Sequence, residues 1–211
     1  MAKEKQIPNT PTATAEPTET TLVNADQTAV VPNMNQPGHE TQKLGEIVRM
    51  PNGLSEDACR RSVELLNQVL VDTMTLRDLY KKHHWQVVGP TFNQLHELFD
   101  THYEQQAELV DIVAERIQLL GGIALAMAHD IAEKTRVKRP PPGREPAAVQ
   151  IRRLAEAHEQ IIVFAREAAE KVEEWKDSGS NDVLVSNVLR TNELQVWFLT
   201  EHLVAASPVT A

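Results

Sequence analysis

Helix-forming residues dominate the chain from Leu54 onward. Leucine and alanine are mixed there with glutamate, lysine and arginine in long stretches, and the apolar/polar alternation that is typical of β-strands is rare. Glycine and proline interrupt these stretches at only a few places. The interruptions predict four long helices, at about residues 55–88, 91–120, 147–176 and 182–205.

Local signals mark the ends of these helices. Ser55 is a suitable N-cap for the first helix, which a Gly-Pro pair ends. Thr91 and Gln94 have the spacing of a capping box at the start of the second helix. Gly179 is the expected end of the third.

The connection between the second and third helices is long. It runs from Gly122 to Pro146 and contains a short helical stretch at about residues 124–134, whereas the other two connections are short. A short, a long and a short connection are typical of a four-helix bundle with one crossover. The predicted fold class is therefore all-α, a four-helix bundle with a short extra helix in the crossover between helices 2 and 3.

The first 53 residues differ in composition from the rest. They hold none of the aromatic residues (three Trp, two Tyr and four Phe in the whole chain) but six of the twelve prolines and eight threonines. Such a segment cannot bury enough apolar surface to offset the entropy of ordering it. We predict a mostly disordered Thr/Pro-rich tail at residues 1–53 and a bundle domain at residues 54–211.

Charge and cysteine content restrict the possible functions of the protein and the compartments in which it could reside. The formal net charge of −9 argues against a surface built to neutralise phosphates. A single cysteine, Cys59, excludes an intrachain disulfide and favours a reducing compartment. No apolar stretch approaches the roughly 20 residues that span a bilayer, and no secretory signal is recognisable. We expect a cytoplasmic protein, either free or associated with the nucleoid, that does not enter the membrane.

The second helix carries the residues that point to chemistry. His96, Asp100, Asp111 and Glu115 are separated by 4, 11 and 4 residues, and these steps turn by about 40°, 20° and 40°. All four side chains therefore fall within a stripe of roughly 100°. Apolar residues flank this stripe, so it borders buried surface. One imidazole and three carboxylates in such a place suit a borderline divalent metal such as iron.

A single copy of this helix cannot bring both polar pairs to one ion. Asp100 and Asp111 lie about 16 Å apart along the helix axis. If the same helix of a second chain packed antiparallel about a two-fold axis near its middle, the first pair of one chain would face the second pair of the other. That arrangement gives two equivalent sites per dimer. His84, near the end of the first helix, could complete the half-site with His96.

The polar positions and their neighbours resemble the signature of a known family. The run that carries the resemblance is His84-Trp85, Gly89, Phe92, Leu95-His96, Phe99-Asp100, Asp111, Ala114-Glu115-Arg116 and Leu120-Gly121-Gly122. It is similar to the ferroxidase signature of the Dps family of mini-ferritins, and the resemblance covers about residues 54–206. The larger ferritins match less well, because their sites use a Glu-x-x-His pair and no glutamate here has a histidine three residues later.

The resemblance implies a hollow homo-dodecameric shell of ferritin-like subunits with di-iron sites at the two-fold interfaces. The implied metal ligands are His84, His96 and Asp100 from one subunit and Asp111 and Glu115 from its neighbour. The family oxidises Fe(II), usually with hydrogen peroxide and otherwise with dioxygen, and stores ferric mineral inside the shell. This protects against oxidative damage. Trp85 would lie beside the site and act as an electron donor.

Several residues have competing interpretations. His83 differs from His84 by 100° around the helix, so only one of the two should face the site. Trp85 is alternatively an ordinary core or interface residue. Asp182 either lines an iron-entry pore, as in similar proteins, or stabilises the start of the fourth helix. Four other helical histidines are expected to be surface or hydrogen-bonded core residues: His102, His129, His158 and His202.

A DNA-binding protein that condenses the nucleoid is the alternative function. The tail lacks the lysine-rich composition of family members that bind DNA. One basic cluster remains, in the crossover loop, and repeated twelve times on a shell it could give avidity. Its residues are Arg136, Lys138, Arg139 and Arg144. We interpret them as solvated loop charge and expect weak DNA binding.

Overall fold

A computed structural model describes residues 32–204. The chain divides into two units at His39 and Glu40. In the first unit, residues 32–39 are described and have no regular secondary structure. The second unit holds the described helices. The helices are α1 (Glu56–Gln86), α2 (Phe92–Leu119), α3 (Ala128–Lys134), α4 (Ala147–Glu174), α5 (Ser178–Asp182), a π-helical segment (Val183–Leu189) and α6 (Arg190–Glu201). Residues 32–204 contain no β-strand, and none of their helices has the length and apolar character needed to cross a membrane.

Four long helices form the bundle. α5, the π-helical segment and α6 follow one another without interruption and together make up the fourth. α1 packs against α2 and α4, and α4 packs against the fourth helix. The short helix α3 lies in the crossover and packs on α1. The predicted all-α fold, a four-helix bundle with an extra helix in the crossover, is confirmed.

The core between the long helices is mainly aliphatic. Its largest fully buried side chains are Tyr80, Phe99, Leu66, Leu70, Leu76, Leu95, Ile117, Leu120, Leu154, Ile161, Leu184 and Leu199. Burying a large apolar side chain contributes about 1.5–3 kcal/mol. Packing of the apolar faces, more than helix propensity, therefore stabilises the bundle.

The structure confirms one predicted helix cap and corrects another. The Ser55 hydroxyl accepts a hydrogen bond from the Ala58 backbone N–H at 3.2 Å, as expected of an N-cap. Thr91 makes no such bond, because its backbone (φ −99°, ψ 20°) is not in the extended conformation that directs an N-cap side chain at the first turn. The predicted capping box is wrong.

The third helix ends differently from its prediction. α4 stops at Glu174, and Lys176, in place of Gly179, takes the left-handed conformation (φ 66°). Gly179 lies inside α5, where an added Cβ atom would come within 2.8 Å of the Arg116 guanidinium. An alanine at this position would displace the guanidinium, and no helix end lies at this glycine.

A buried carboxylate starts the fourth helix at Ser178, earlier than the predicted residue 182. Asp177 is the N-cap, and its carboxylate accepts a hydrogen bond from the Ser180 backbone N–H at 3.0 Å. Arg116, near the end of α2, donates to the same carboxylate at 2.5 Å. This ion pair ties the start of the fourth helix to the end of α2.

A second buried carboxylate fixes the crossover. Asp72 of α1 is fully buried and accepts hydrogen bonds from the Arg136 backbone N–H at 2.8 Å and from its guanidinium at 2.6 and 3.0 Å. The same guanidinium lies 3.9 Å from the ring centroid of Phe164. Arg136 was assigned from the sequence to the basic loop cluster, and the structure corrects this. Its charge is paired with the buried Asp72, although the Arg136 side chain itself stays 36% exposed.

The segment before α1 runs along the end of α2. The Val48 backbone N–H donates to the Gly121 carbonyl at 2.9 Å, and Gln42 Nε2 donates to the same oxygen at 2.9 Å. These residues belong to the predicted tail, of which residues 1–31 lie outside the described range. The disorder and the boundary of the tail stay predictions, and its last part is held against the bundle.

Gly121→Ala should release this segment. Gly121 has φ 81°, and a Cβ atom there would lie 1.9 Å from the Val48 carbonyl oxygen. We expect the free energy of unfolding to fall by about 2 kcal/mol through left-handed strain and displaced hydrogen bonds. Chemical denaturation measures the change. Gly143→Ala is the matched control, because nothing lies within 4 Å of a Cβ at that position. Equal stabilities of the two variants would contradict the argument.

Candidate metal centre

The end of α1 and the start of α2 bring two predicted ligands together. His84 and His96 lie on either side of the turn between these helices, and their rings stack with centroids 3.7 Å apart and 21° between the planes. His84 Nδ1 is 2.8 Å from the His96 carbonyl oxygen, and His96 Nδ1 is 2.9 Å from the His84 carbonyl oxygen. Each ring is therefore held by the backbone of the other residue.

This reciprocal bonding fixes the tautomer of both rings. A carbonyl oxygen only accepts, so Nδ1 of each neutral ring must carry the proton, and Nε2 keeps its lone pair. A ring whose N–H donates to a backbone carbonyl while its other nitrogen is unprotonated is the usual arrangement of a metal-binding histidine. Two imidazole lone pairs are thus available at one end of the bundle.

Asp100 lies beside the histidine pair, one turn after His96. Its Oδ1 is 3.9 Å from His84 Nδ1 and forms an ion pair with Lys81 of α1. The hydrogen bond from Lys81 lowers the pKa of Asp100, so the carboxylate is ionised at neutral pH. A metal ion bound here would compete with the Lys81 ammonium. Lys81 was not predicted, although its place three residues before His84 was an available signal.

Exposed aromatic rings border the histidine pair. Trp85 is 70% exposed, and Phe92 is 44% exposed with its ring centroid 5.1 Å from that of His96. Large apolar side chains clustered at a surface are typical of a contact with another molecule. Trp85 is not a core residue of this bundle.

The two remaining predicted ligands lie apart from the histidines. Asp111 and Glu115 are exposed and further along α2. Within residues 32–204 of one chain, no group of three or more His, Cys, Asp or Glu side chains is arranged to hold a metal ion. In the described part of one chain, His84, His96 and Asp100 (the histidine half of the predicted ligand set) therefore lie apart from Asp111 and Glu115 (the carboxylate half).

His83 lies in the core and not at the candidate centre. It is fully buried, with its ring centroid 6.4 Å from that of Phe99. Burial lowers its pKa to about 4, so the ring is neutral. The other helical histidines are as expected. His102 and His158 are buried and have hydrogen-bond partners. His129 and His202 are exposed.

Comparison with known proteins identifies the family. A family model described as a ferritin-like domain matches residues 63–207. The fold superposes on that of DpsC from Streptomyces coelicolor with a TM-score of 0.80 and 48% sequence identity, over 82% of this chain and 100% of that chain. The chain belongs to the Dps family of ferritin-like proteins. The resemblance seen in the sequence is confirmed.

Two further relatives support membership of the Dps family. An uncharacterised protein of Kitasatospora aureofaciens is 46% identical over 141 residues, which are 67% of this chain and 94% of that protein. The DNA protection during starvation protein of Agrobacterium fabrum is 28% identical over 151 residues, which are 72% of this chain and 93% of that protein. The similarity therefore spans nearly the whole length of these relatives.

Asp182 of this Dps protein is exposed at the end of α5. It accepts a hydrogen bond from the Ser186 hydroxyl at 2.7 Å. Because the helix begins four residues earlier, at Ser178, Asp182 does not stabilise the first turn as the alternative interpretation held. Its role in an iron-entry pore stays a prediction.

Proposed function

We propose that this Dps protein is a ferroxidase that oxidises Fe(II) and stores the ferric product inside a shell of its own subunits. The observation that carries the proposal is the His84–His96 pair, whose Nδ1 atoms are bonded to backbone carbonyls so that the Nε2 lone pairs are unused, with the ionised Asp100 one turn further along α2. Neutral imidazole and carboxylate together suit Fe(II). Iron is the substrate of this reaction, and ferric mineral is its stored product.

A second subunit supplies the rest of the ligand set in this proposal. Asp111 and Glu115 are exposed, and the first of them lies about 16 Å along α2 from Asp100. Antiparallel pairing of two α2 helices about a two-fold axis sets the carboxylate half of one chain against the histidine half of the other. The exposure of Trp85 and Phe92 beside the histidines supports an interface at this place.

The proposed reaction moves electrons in pairs. Two Fe(II) ions give up one electron each, and hydrogen peroxide with two protons accepts both electrons and becomes two molecules of water. Paired transfer avoids the hydroxyl radical that one-electron reduction of peroxide would release. Asp100 or Glu115 bridges the two ions, and Trp85 serves as an additional electron donor beside them. Dioxygen is the alternative oxidant.

Assembly and location follow from the family in this proposal. The subunits form a homo-dodecamer, ferric mineral collects inside it, and Asp182 lines a path by which iron enters. The mineral and the consumption of peroxide together limit oxidative damage. The proposed location is the cytoplasm, a reducing compartment, because a chain with a single cysteine has no intrachain disulfide to maintain.

DNA condensation is a second candidate, favoured by relatives that are named for DNA protection during starvation. The basic loop is smaller than the sequence suggested, because Arg136 is paired with the buried Asp72. The exposed cations that remain are Lys138, Arg139 and Arg144. On a chain with a net charge of −9 they neutralise few phosphates. DNA association is therefore weak and secondary to iron chemistry in this proposal.

The double variant His96→Ala/Asp100→Ala should lose the fast phase of iron oxidation. Anaerobic protein is loaded with two Fe(II) per site, hydrogen peroxide is added, and ferric absorbance is followed by stopped flow. Removing two ligands should slow this phase at least about tenfold, since even outer-shell losses at metal sites have effects of that size. His129→Ala, at an exposed position on α3, is the control and should leave the phase intact. An unchanged fast phase in the double variant would refute the site.

A further inference from the structure

A cluster of buried polar side chains crosses the middle of the bundle. α1, α2, α4 and α6 all contribute, and each side chain is at most 4% exposed. The members are Tyr80, His102, Gln106, His158, Asn192 and Gln195. Polar groups in an aliphatic core are costly unless they are hydrogen-bonded to one another. The proton positions within this cluster can therefore be worked out from its contacts.

The hydrogen bonds around Tyr80 run in one direction. Asn192 Nδ2 donates to the Val188 carbonyl at 2.7 Å, so it is Oδ1 of this amide that faces His158 Nδ1, also at 2.7 Å. An amide oxygen only accepts, so His158 Nδ1 carries the ring proton and Nε2 has the lone pair. The Tyr80 hydroxyl, 2.5 Å from that Nε2, must donate to it. The same hydroxyl accepts from His102 Nδ1 at 3.0 Å.

The charge states of these groups agree with this assignment. Burial lowers the pKa of His158 to about 3 and that of His102 to about 4, and it raises the pKa of Tyr80. All three are uncharged at neutral pH. A buried phenol can lose an electron only if its proton leaves as well, because a buried phenol cation is very costly. His158 Nε2 is a hydrogen-bonded acceptor for that proton.

Tyr80 is also a neighbour of the candidate metal centre. It precedes His84 on α1 by four residues, or about 6 Å along the helix axis. Its ring centroid is 6.1 Å from that of Phe99, and the whole side chain is shielded from solvent. A phenol in this position is close to the iron site and protected from reaction with solutes.

We propose that Tyr80 is a redox-active residue that donates an electron to the iron site, with His158 as the acceptor of its proton. The proposal rests on the proposed ferroxidase function. Tyr80 acts when hydrogen peroxide meets a site that holds a single Fe(II). That ion offers one electron where peroxide needs two, and Tyr80 supplies the second.

The step balances in atoms and electrons. Hydrogen peroxide, two protons, one Fe(II) and the hydrogen-bonded Tyr80–His158 pair give two waters, one Fe(III), the Tyr80 phenoxyl radical and the His158 imidazolium. The O–O bond of peroxide breaks, and peroxide gains one electron from iron and one from Tyr80. The phenol O–H bond breaks and its proton moves to His158 Nε2. A later Fe(II) reduces the radical, and the proton returns from the buried imidazolium.

The test is freeze-quenched electron paramagnetic resonance on the assembled full chain. Anaerobic protein receives one Fe(II) per site and then hydrogen peroxide, both as wild type and with Trp85→Phe, which removes the other proposed donor. We expect a tyrosyl radical whose spectrum narrows when ring-deuterated tyrosine is incorporated. The chain contains two tyrosines, Tyr80 and Tyr103. The signal should survive Tyr103→Phe and disappear in Tyr80→Phe.

His158→Gln tests the proton acceptor separately. Glutamine can accept a hydrogen bond from Tyr80 but is not a base, so the radical yield should fall at least tenfold. Ferric absorbance with two Fe(II) per site should not change, because that reaction takes no electron from Tyr80. A purely structural role of His158 would not separate the two readouts in this way, and parallel loss of both would overturn its assignment.

The other outcomes are equally decisive. A signal that persists in Tyr80→Phe, or that is lost in Tyr103→Phe, overturns the proposal. Ferric absorbance without a tyrosyl signal overturns it too, and leaves the ferroxidase function standing. Absence of ferric absorbance overturns both. If Tyr80→Phe fails to assemble, deuterated wild type and Tyr103→Phe assign the radical without it.

Discussion

Two inactive half-site variants, assembled together, should recover about a quarter of the wild-type fast phase of Fe(II) oxidation. One variant carries His96→Ala and Asp100→Ala, and the other carries Asp111→Asn and Glu115→Gln. Each alone damages every site. In an equal mixture, half of the two-fold interfaces join unlike chains, and each of these has one intact and one doubly damaged ligand set, so about one site in four is complete.

The mixed assembly must form before the assay. Co-expression with two different affinity tags, or refolding of a mixture, produces it, and stopped-flow ferric absorbance per subunit measures the recovery. Assembled variants that are mixed only afterwards are the matched control and should stay inactive. If one chain completed its own site, no chain in the mixed assembly would have all ligands. The result would then be no recovery, which would overturn the shared site.

Acidification from pH 7 to pH 5 should destabilise the fold by several kcal/mol. Burial lowers the pKa of His83 and His102 to about 4 and that of His158 to about 3, from 6.5 in the unfolded chain. Because the folded values are lower, the unfolded chain takes up these protons first as pH falls. The stabilisation is fully present above pH 6.5 and is lost as pH falls to about 4 for His83 and His102 and to about 3 for His158. Each histidine contributes on the order of 2 kcal/mol of this loss at pH 5.

Chemical denaturation at pH 7, 6 and 5, at one protein concentration, measures this effect. The slope of the unfolding free energy against pH should correspond to uptake of about three protons per chain near pH 5. His102→Gln should reduce the uptake to about two. His129→Gln, at an exposed position, should leave the slope unchanged. Stability that is independent of pH over this range would show that these rings are not held neutral by burial.

Features that depend on nearby residues were predictable from the sequence. The bundle follows from helix-forming stretches and their breakers, and the cap at Ser55 depends on a contact three residues away. His84, His96 and Asp100 lie on two helices that are joined by a short turn. Elementary helix geometry was therefore enough to suggest that they lie together. The shared site, by contrast, depends on a second chain and stays a proposal.

Features that join distant residues were not predictable. Tyr80 meets His158 across 78 positions, and Arg136 meets Asp72 across 64. Composition showed the charge of Arg136 but not the buried carboxylate that binds it. Gly179 was predicted to end a helix, yet it lies inside α5 and faces the guanidinium of Arg116 on another helix. Such roles are set by tertiary packing, which overrides local propensity.

The exchange of hydrogen bonds between His84 and His96 has a consequence for repeated turnover. Both imidazoles are immobilised by hydrogen bonds between the end of α1 and the start of α2. An ion that binds them therefore does not have to restrict their rotamers, a restriction that otherwise costs about 0.5–1.5 kcal/mol per side chain. In the proposed ferroxidase reaction, the rings would keep the same positions when a ferric ion moves on to the mineral. This half of the proposed centre is preorganised, so it would accept the next Fe(II) without any rearrangement of the fold.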